Sequence, residues 1–315
     1  MSERPHVPLG PGVEFDTVRR LLEQWGPHAR GTGDDAAVLD VPVGRRLVAS
    51  VDTAIENVHF RRAWITPSEI GYRAVTAALS DLAAMGAAPL GVLVAFVLPE
   101  PWRERLPEIA EGIGMAVADA DTLVLGGNLS TGAELGITTT VLGHADRTLR
   151  RDAMRAGDHL YVTGHLGGAG AALAAFLAGR APTPEHRERF TRPVARLAEG
   201  QWLLAHGATA AIDISDGLAA DAAHLAAAAR AGVELVLADL PLVAGVRARD
   251  ALASGEEYEL LVAAPQPLDT DAFAAAFGTP LTHVGRVVDA HPGEAVVTDG
   301  GRRVAGGRGH DHFQG

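Results

Sequence analysis

The chain has 315 residues, of which 47% are hydrophobic and 21% are charged, and its formal net charge is −12 at pH 7. This length allows two domains of roughly 150 residues, and the acidic balance argues against a nucleic-acid binder because phosphate contacts require clustered Lys and Arg. Cysteine is absent, which excludes disulfides, thiolate nucleophiles and thiolate metal sites.

Membrane and secretion signals are also missing from the sequence. No apolar run reaches the roughly 18 residues of a membrane span, and the first five residues lack the basic-then-apolar order of a signal peptide. We therefore expect a soluble, cytoplasmic protein without a membrane partner.

The N-terminal quarter contains the first acidic turn. Residues 15–25 carry apolar side chains at helical spacing and predict an amphipathic helix. Residues 31–39 follow as a glycine-containing turn that feeds a strand and carries Asp34 and Asp35. Two adjacent acids in a surface turn more often serve only solubility, so this turn is a candidate site only in company with others.

The next strand and helix each add a candidate carboxylate. Residues 47–51 predict a strand with Asp52 just past its end, and residues 68–85 predict a helix that contains Asp81. Small and apolar side chains flank Asp81, and a carboxylate in such surroundings is costly unless it is paired. His59 lies between the two elements, and a lone histidine more often packs with its nitrogens bonded locally.

The rest of the first half alternates strands and helices. We predict strands at 90–98, 122–125 and 135–143, a helix at 103–118, and a turn at Gly126–Ser130. The polar, basic segment 146–157 marks a domain junction, which gives domains 1–146 and 147–315.

A glycine-rich segment opens the second half. A strand at 160–164 leads into Gly164–Gly170 and an alanine-rich helix. No Gly-Lys-Ser/Thr follows, so the segment is not a P-loop, and close packing of strand against helix is the better explanation of its glycines. A span rich in proline and charge, 180–192, precedes a helix at 194–205.

A strand that ends in Asp213-Ile214-Ser215-Asp216-Gly217 places two carboxylates and a hydroxyl at a strand-to-helix junction. Side chains alternate along an extended segment, so Asp213 and Ser215 project together, and oxygen donors on one rim suit a hard cation. The alternative is that Ser215 or Asp216 only caps the helix predicted at 218–230. Capping leaves Asp213 unexplained.

The C-terminal quarter adds a second acidic turn. Residues 254–262 place three acids around a glycine at the start of a strand, after a strand at 233–237, and one helix and short strands complete the chain. The histidines of the tail, 309–312, are expected to belong to a hydrophilic terminus rather than to a metal site.

Taken together, the acids at the ends of apolar elements repeat one arrangement in a chain without thiols. The set comprises Asp34, Asp35, Asp52, Asp81, Asp213 and Asp216. Carboxylates without histidine partners select hard cations such as Mg²⁺, which binds through a few carboxylates and substrate phosphates. The pattern predicts a site for a nucleoside triphosphate, where metal ions supply the charge neutralisation that phosphoryl transfer needs.

At this level of detail the chain resembles the thiamine-monophosphate kinase family. The motifs that carry the resemblance run in order from about residue 31 to 290: Gly33-Asp34-Asp35-Ala36-Ala37-Val38, Val51-Asp52-Thr53, Val58-His59-Phe60, Leu79-Ser80-Asp81-Leu82-Ala83-Ala84-Met85-Gly86, Asp213-Ile214-Ser215-Asp216-Gly217-Leu218 and Gly255-Glu256-Glu257-Tyr258-Glu259-Leu260.

The resemblance implies a two-domain α/β fold like that of aminoimidazole-ribonucleotide synthetase. In such a fold the N-terminal domain binds ATP and metal and joins its strands to those of a second subunit in a dimer-interface β-barrel, and a C-terminal α/β domain packs on it. The implied activity is direct, in-line transfer of the γ-phosphoryl group of ATP to thiamine monophosphate, with several Mg²⁺ ions, in a homodimer. No side chain is phosphorylated in that mechanism.

Site residues follow from the resemblance by position. Metal ligation is implied for Asp34, Ser50, Asp52, Asp81, Asn128, Asp213 and Asp216. Nucleotide binding is implied for Asp34, Gly126, Gly127, Asn128, Arg147 and Ser215. Binding of thiamine monophosphate is implied for Asp52, His59, Glu256 and Tyr258. Asp213 and Asp216 are thereby expected to face the acids of the N-terminal domain.

The chain departs from the family where Gly126-Gly127-Asn128-Leu129-Ser130 replaces Gly-Gly-Asp-Thr-Thr. Asn128 offers a carbonyl oxygen but no charge, which leaves a weakened metal site, an altered acceptor and lost catalysis as alternatives. Ser254 and Glu257 replace the usual Gly and Asp.

Two other functions stay open at this stage. One is a different ATP-dependent synthetase of the same superfold, although the selenophosphate synthetase and hydrogenase-maturation relatives call for a Cys or selenocysteine that this chain lacks. The other is a non-catalytic nucleotide-binding homologue, which Asn128 motivates.

Overall fold

The computed structural model describes residues 12–32 and 35–305, which separate into two compact units. The first unit is formed within Met1–Leu82 and Ala88–Asp146, and the second within Ala83–Ala87 and Arg147–Gly315. In the described part of the chain no helix combines the length and the apolar character needed to cross a membrane.

The first unit is a four-stranded mixed sheet with helices. The elements up to residue 145 are α1 (Val13–Trp25), β1 (Arg46–Ile55), α2 (Pro67–Ala84), β2 (Ala88–Val97), α3 (Glu100–Arg103), α4 (Leu106–Asp119), β3 (Val124–Ser130) and β4 (Gly136–Ala145). The strand order is β1-β4-β2-β3, in which β2 and β3 are parallel and the other neighbours are antiparallel.

The two faces of this sheet differ in cover. On one, the helix face, Val92, Val94, Thr139 and Val141 are fully buried or nearly so, and a side chain added at Gly143 would touch Leu82 of α2. Helix α4 packs tightly on α2, because a Cβ at Gly112 would lie 1.8 Å from the carbonyl oxygen of Ser68. The other, the open face, carries Thr138 and Thr140 on the same central strand β4.

The expected barrel is not confirmed. In residues 12–32 and 35–305 the first sheet stays open, with β1 and β3 as its two edges. The two-domain α/β fold with mixed sheets is confirmed.

The second unit is built on a seven-stranded sheet. Its elements are β5 (His159–Thr163), α5 (Gly168–Leu177), α6 (Pro184–Thr191), α7 (Leu197–Ala205), β6 (Ala210–Asp213), α8 (Leu218–Ala229), β7 (Gly232–Val236), α9 (Ala248–Leu252), β8 (Leu260–Ala264), α10 (Thr270–Phe277), β9 (Leu281–Val288), β10 (Ala295–Asp299) and β11 (Arg302–Val304). The strand order is β11-β10-β7-β9-β5-β8-β6.

Several predicted elements differ from the structure in ways that affect the site. Strand β1 runs to Ile55, so Asp52 lies inside the strand rather than past its end. The segment predicted as the turn Gly126–Ser130 is the body of β3, and the turn predicted at residues 31–39 leads into no strand between Asp35 and the start of β1. The span rich in proline and charge contains α6, whose first residue, Pro184, suits a helix start because the amide there needs no partner.

Candidate functional site

Ser50, Asp52 and Asp81 lie on the helix face of the first sheet. The Ser50 hydroxyl donates a hydrogen bond of 2.5 Å to Oδ2 of Asp81 in α2. Asp52 lies two residues further along β1, and alternation in a strand places its side chain on the same face as that of Ser50. Asp52 is exposed because β1 is an edge strand, and its carboxylate accepts the amide of Thr53 at 2.7 Å.

This group, hereafter the strand site, is an assembly of hard oxygen donors. Two carboxylates and a hydroxyl suit Mg²⁺ rather than a softer metal. The pairing with Ser50 also accounts for Asp81, whose carboxylate the sequence places among apolar neighbours. The predicted metal and nucleotide ligand Asp34 lies outside the described residues.

Asn128 lies on the opposite side of the sheet from the strand site. In β3 it pairs with Ala95 of β2, which in turn lies opposite Thr138 of β4. Its side chain therefore faces the open face, whereas Asp52 pairs with Thr139 on the helix face. Three strand spacings separate β1 from β3, which amounts to about 14 Å.

A groove of about 870 Å³ crosses the open face. It is bounded by α1 and by Asp35, and its floor includes Gly126, Gly127 and Asn128. Thr138 contributes a hydroxyl that lies 3.0 Å from the hydroxyl of Thr53. Gly126, Gly127 and Asn128, which the family resemblance links to the nucleotide, thus lie together in the groove and away from the strand site.

His59 belongs to the loop after β1. Its Nδ1 accepts a hydrogen bond from the amide of Ile55 at 3.0 Å, and its own amide donates to the carbonyl of Ile55 at 2.9 Å. One ring nitrogen is thus bonded to local backbone, and the proton of a neutral ring must then sit on Nε2.

In the second unit, the loop of residues 214–217 connects β6 to α8 and is held by an acid, Asp221, that is not among the predicted site residues. The amides of Ser215, Asp216 and Gly217 all donate to Oδ2 of Asp221, each at 3.1 Å. Asp221 lies in the first turn of α8 and is 2% exposed.

The capping alternative for this loop is wrong. The residue before α8 is Gly217, and neither Ser215 nor Asp216 makes a side-chain cap there. Asp221 accepts hydrogen bonds from these amides from within the first turn of the helix instead. Helix capping therefore does not explain Asp213, at the end of β6, or Asp216, and other roles stay open for both.

Negative charge is concentrated around Asp221. Burial, followed by the nearby charges of Asp213 and Asp216, raises the pKa of Asp221 to about 8. One ligand atom each from Asp216, Asp221 and His224 lie within 4.8 Å of one another. His224 is likewise not among the predicted site residues. Asp221 and His224 lie three residues apart on α8, directly after the acidic loop, and this spacing was the available signal.

The second acidic turn packs directly on this loop. The amides of Glu257 and Tyr258 donate to the carbonyl of Ile214 at 3.1 and 2.9 Å, and the amide of Glu256 donates to the carbonyl of Ser215 at 2.7 Å. A Cβ at Gly255 would lie 2.6 Å from that same carbonyl oxygen. Only glycine allows the two backbones to approach this closely.

Two residues of the turn hold uncommon backbone conformations. Glu256 has a φ of 57° and Tyr258 a φ of 54°, in the left-handed region that non-glycine residues seldom adopt. Such conformations persist only where surrounding contacts hold them, and they are often found at ligand sites. The backbone bonds to Ile214 and Ser215 provide this support.

Glu257 closes the glycine-rich segment. Its Oε1 accepts the amides of Gly167 and Ala169 at 2.9 and 3.2 Å, at the N-terminus of α5. The hydroxyl of Ser254 also donates to Oε1. In a P-loop, a phosphate would bind amides at this position, but here the carboxyl group of Glu257 binds them. The close packing of this segment therefore explains its glycines.

Burial raises the pKa of Glu257 to about 7, against the opposing effects of Ser254, Arg189 and the amide of Gly167, and Glu259 adds to the increase. Its second oxygen, Oε2, is buried without a hydrogen-bond partner. A protonated carboxyl group fits this environment better than a carboxylate.

Replacing Glu257 with Gln should change how stability depends on pH. A group whose pKa is raised in the folded state stabilises it below the unfolded value and loses that contribution as pH rises through the folded value. The free energy of unfolding of the wild type should therefore fall by about 3 kcal/mol relative to E257Q between about pH 5 and about pH 8. Urea denaturation at the two pH values measures this difference, and parallel changes in both proteins would contradict it.

Glu259, the last acid of this turn, forms a buried ion cluster. The residue is 1% exposed. Its carboxylate accepts hydrogen bonds from Nε and Nη2 of Arg196 at 2.7 Å each, from Nη2 of Arg189 at 2.8 Å and from the hydroxyl of Thr163 at 2.7 Å. Although burial opposes ionisation, Arg196 and then Arg189 hold the pKa of Glu259 below its usual value. The cluster ties α6 and α7 to the start of β8.

Arg147 is the remaining residue implied by the family resemblance. Its guanidinium donates to the carbonyl of Leu204 in α7 at 2.6 Å. Each unit thus has its own group of predicted site residues. The first unit contains the strand site, and the second contains the loop of residues 214–217 packed against the second acidic turn.

Family models match both halves of the chain. Residues 33–145 match the AIR synthase related protein N-terminal domain, and residues 155–298 match the corresponding C-terminal domain. Among curated proteins, the thiamine-monophosphate kinase of Salmonella typhimurium is 34% identical over 95% of this chain and 98% of its own length.

Solved structures agree with the sequence relatives. The crystal structure of thiamine-monophosphate kinase from Stenotrophomonas maltophilia is 31% identical, with a TM-score of 0.80 over 94% of this chain and 98% of that one. The structure of AaThiL complexed with AMPPCP and TMP is 30% identical, with a TM-score of 0.76 over 95% of this chain and 96% of that one.

Proposed function

Since this chain belongs to the AIR synthase related family and, within it, to the thiamine-monophosphate kinases, we propose that it transfers the γ-phosphoryl group of ATP to thiamine monophosphate. The observation that carries the proposal is the similarity, over 95% of the chain, to a protein whose structure was solved with AMPPCP and TMP. The enzyme is thus a phosphotransferase whose acceptor is itself a phosphate, and the transfer is direct and in-line.

A kinase assay tests this proposal. Purified protein with ATP, Mg²⁺ and thiamine monophosphate should form thiamine diphosphate and ADP in equal amounts, resolved by chromatography. ADP formation without thiamine diphosphate would favour a related synthetase activity, and nucleotide binding without ADP formation would favour a non-catalytic homologue.

The strand site and the acidic loop of the second unit suit Mg²⁺. Asp52, Asp81 and Ser50 offer hard oxygen donors on one face, and Asp213 and Asp216 lie close to the carboxyl group of Asp221, a concentration of acidic groups that a cation would relieve. We assign ligation to Asp34, Ser50, Asp52, Asp81, Asn128, Asp213 and Asp216. When bound, Mg²⁺ neutralises the charge of the phosphates and of the developing transition state.

The substrates are assigned to the remaining residues by family position. Gly126, Gly127, Asn128, Arg147 and Ser215 bind the nucleotide, and His59, Glu256 and Tyr258 together with Asp52 bind thiamine monophosphate. The left-handed backbone at Glu256 and Tyr258 supports a ligand-binding turn. We keep residues 1–146 as the nucleotide, metal and dimerisation domain and 147–315 as the C-terminal domain; a cytoplasmic location stays a prediction.

A homodimer fits the edges of the first sheet. Leu47 and Val51 on β1 are 54% and 60% exposed, and β1 and β3 are the edge strands of a sheet that is open in the described residues. If Asn128 and Asp52 bind one ion, Asn128 must come from a second copy, because the two lie about 14 Å apart across this sheet. Analytical ultracentrifugation tests the dimer; a monomer at assay concentration would refute it.

Replacing Asn128 with Asp should restore the charge that the family has at this position. We expect N128D to reach half-maximal activity at a Mg²⁺ concentration about tenfold lower than the wild type, since a carboxylate binds a hard cation more tightly than an amide oxygen. Titration of kinase activity with Mg²⁺ measures this shift. An unchanged midpoint would show that position 128 is not a ligand.

A further inference from the structure

The loop of residues 214–217 carries two proposed site residues, Ser215 and Asp216, and directly follows a third, Asp213, at the end of β6. Asp221 fixes the backbone of this loop, because the amides of Ser215, Asp216 and Gly217 converge on a single carboxyl oxygen of Asp221 at 3.1 Å each. Three consecutive amides that share one acceptor define the path of the whole loop, because any change in the φ and ψ angles of one residue breaks at least one bond.

Asp221 is buried at a cost. It is 2% exposed, and the carboxylates of Asp213 and Asp216 are near enough to disfavour a further negative charge. A leucine or alanine at this position would avoid that cost and would continue a helix rich in alanine. The carboxyl group therefore has a benefit that packing and helix formation do not provide.

That benefit is the geometry of the loop. On its other side the loop accepts hydrogen bonds at Ile214 and Ser215 from the second acidic turn, and Gly217 lies against the backbone of residues 252–253. Those contacts are with backbone, whereas Asp221 holds the loop through a side chain that extends back from α8. It thus couples the start of the helix to the direction in which Asp213, Ser215 and Asp216 point.

We propose that Asp221 is a positioning residue for phosphoryl transfer: it does not touch the substrates, but holds Asp213, Ser215 and Asp216 in the arrangement that binds the magnesium nucleotide. This inference rests on the proposed function, because it assumes that the loop binds Mg²⁺ and ATP. It adds a residue that the family motif, as matched in this chain, does not assign to the site.

Two substitutions separate positioning from mere stability. D221A removes the acceptor, whereas D221N keeps a carbonyl oxygen that the three amides can share. D271A is the matched control, since Asp271 lies in the first turn of α10 and is exposed. All four proteins are compared by thermal denaturation and by calorimetric titration with Mg·AMPPCP.

We expect D221A to weaken Mg·AMPPCP binding by at least about tenfold, because a small displacement of a site loop is costly. D221N should bind within about threefold of the wild type, since the acceptor is kept. D271A should bind like the wild type. In the kinase assay, D221A should raise KM for MgATP and leave KM for thiamine monophosphate unchanged.

The outcomes are distinguishable. Equal binding by wild type and folded D221A would overturn the inference while leaving the proposed function intact. If D221A does not fold, D221N decides: near-normal binding supports positioning by the acceptor oxygen, and a tenfold loss in a folded D221N overturns it. A wild type that binds no Mg·AMPPCP would refute the proposed function itself.

Discussion

Replacing Asp81 with Asn is expected to lower kcat/KM by about 10³-fold, a loss typical of removing one preorganised charge from a transition-state site. Asp81 accepts the hydroxyl of Ser50 and lies on the same face of the first sheet as Asp52. Asparagine has nearly the same shape and can still accept that hydrogen bond, so the change removes charge and a metal ligand but little packing. Steady-state kinetics with saturating Mg²⁺ measures the effect.

A matched control for D81N is D119N. Asp119 also accepts a hydroxyl hydrogen bond within the first unit, from Tyr72 at 3.0 Å, and it lies at the end of α4. We expect D119N to keep near-normal kcat/KM. A D81N enzyme with more than about a tenth of wild-type activity would show that Asp81 is not part of the metal site, since such a ligand is worth more than this.

Of the strand site, the residue pattern alone singled out Asp81 but gave no sign of its partner Ser50. Asp81 stood out because a carboxylate flanked by small and apolar residues needs a partner, and the structure supplies Ser50 as that partner. Ser50 itself came only from the family resemblance. A serine inside a strand gives no signal until the helix that packs against it is known.

The placement of Asn128 could not be predicted from local patterns. Glycine pairs usually mark turns, so Gly126 and Gly127 favoured a loop there. In the structure they lie within β3, where the backbone of Gly127 approaches that of Val94 so closely that a Cβ would lie 1.8 Å from its carbonyl oxygen. This is a tertiary reason for glycine, and the register of β3 against β2, which pairs Asn128 with Ala95, sets the face of the sheet that Asn128 occupies.

Residues on helices were missed for a related reason. Asp221 and His224 in α8 look like ordinary polar residues of a helix that follows a known motif, and only the three converging amides reveal the role of Asp221. Glu257 was noted as a departure from the family, but its contact with the α5 N-terminus joins segments about 90 residues apart. Contacts of this range depend on topology rather than on sequence spacing.

Replacing Glu259 with Gln is expected to cost about 3 to 5 kcal/mol of unfolding free energy, the usual loss when one partner of a buried ion cluster is removed. The carboxylate is bonded to Arg196 and Arg189, and glutamine would leave both guanidinium groups near a neutral amide in a buried site. The NH2 group of the glutamine would also point at an N–H donor of Arg196, because both oxygens of the Glu259 carboxylate accept hydrogen bonds from Arg196.

Urea denaturation of E259Q measures this loss, and D250N is the matched control. Asp250 forms a comparable two-point pair with Arg247, but both side chains are exposed, so its removal should change stability little. A loss in E259Q no larger than that in D250N would contradict the prediction. A large loss in E259Q alone would show that this buried cluster, at the start of β8, contributes to the stability of the fold in a way that an exposed pair does not.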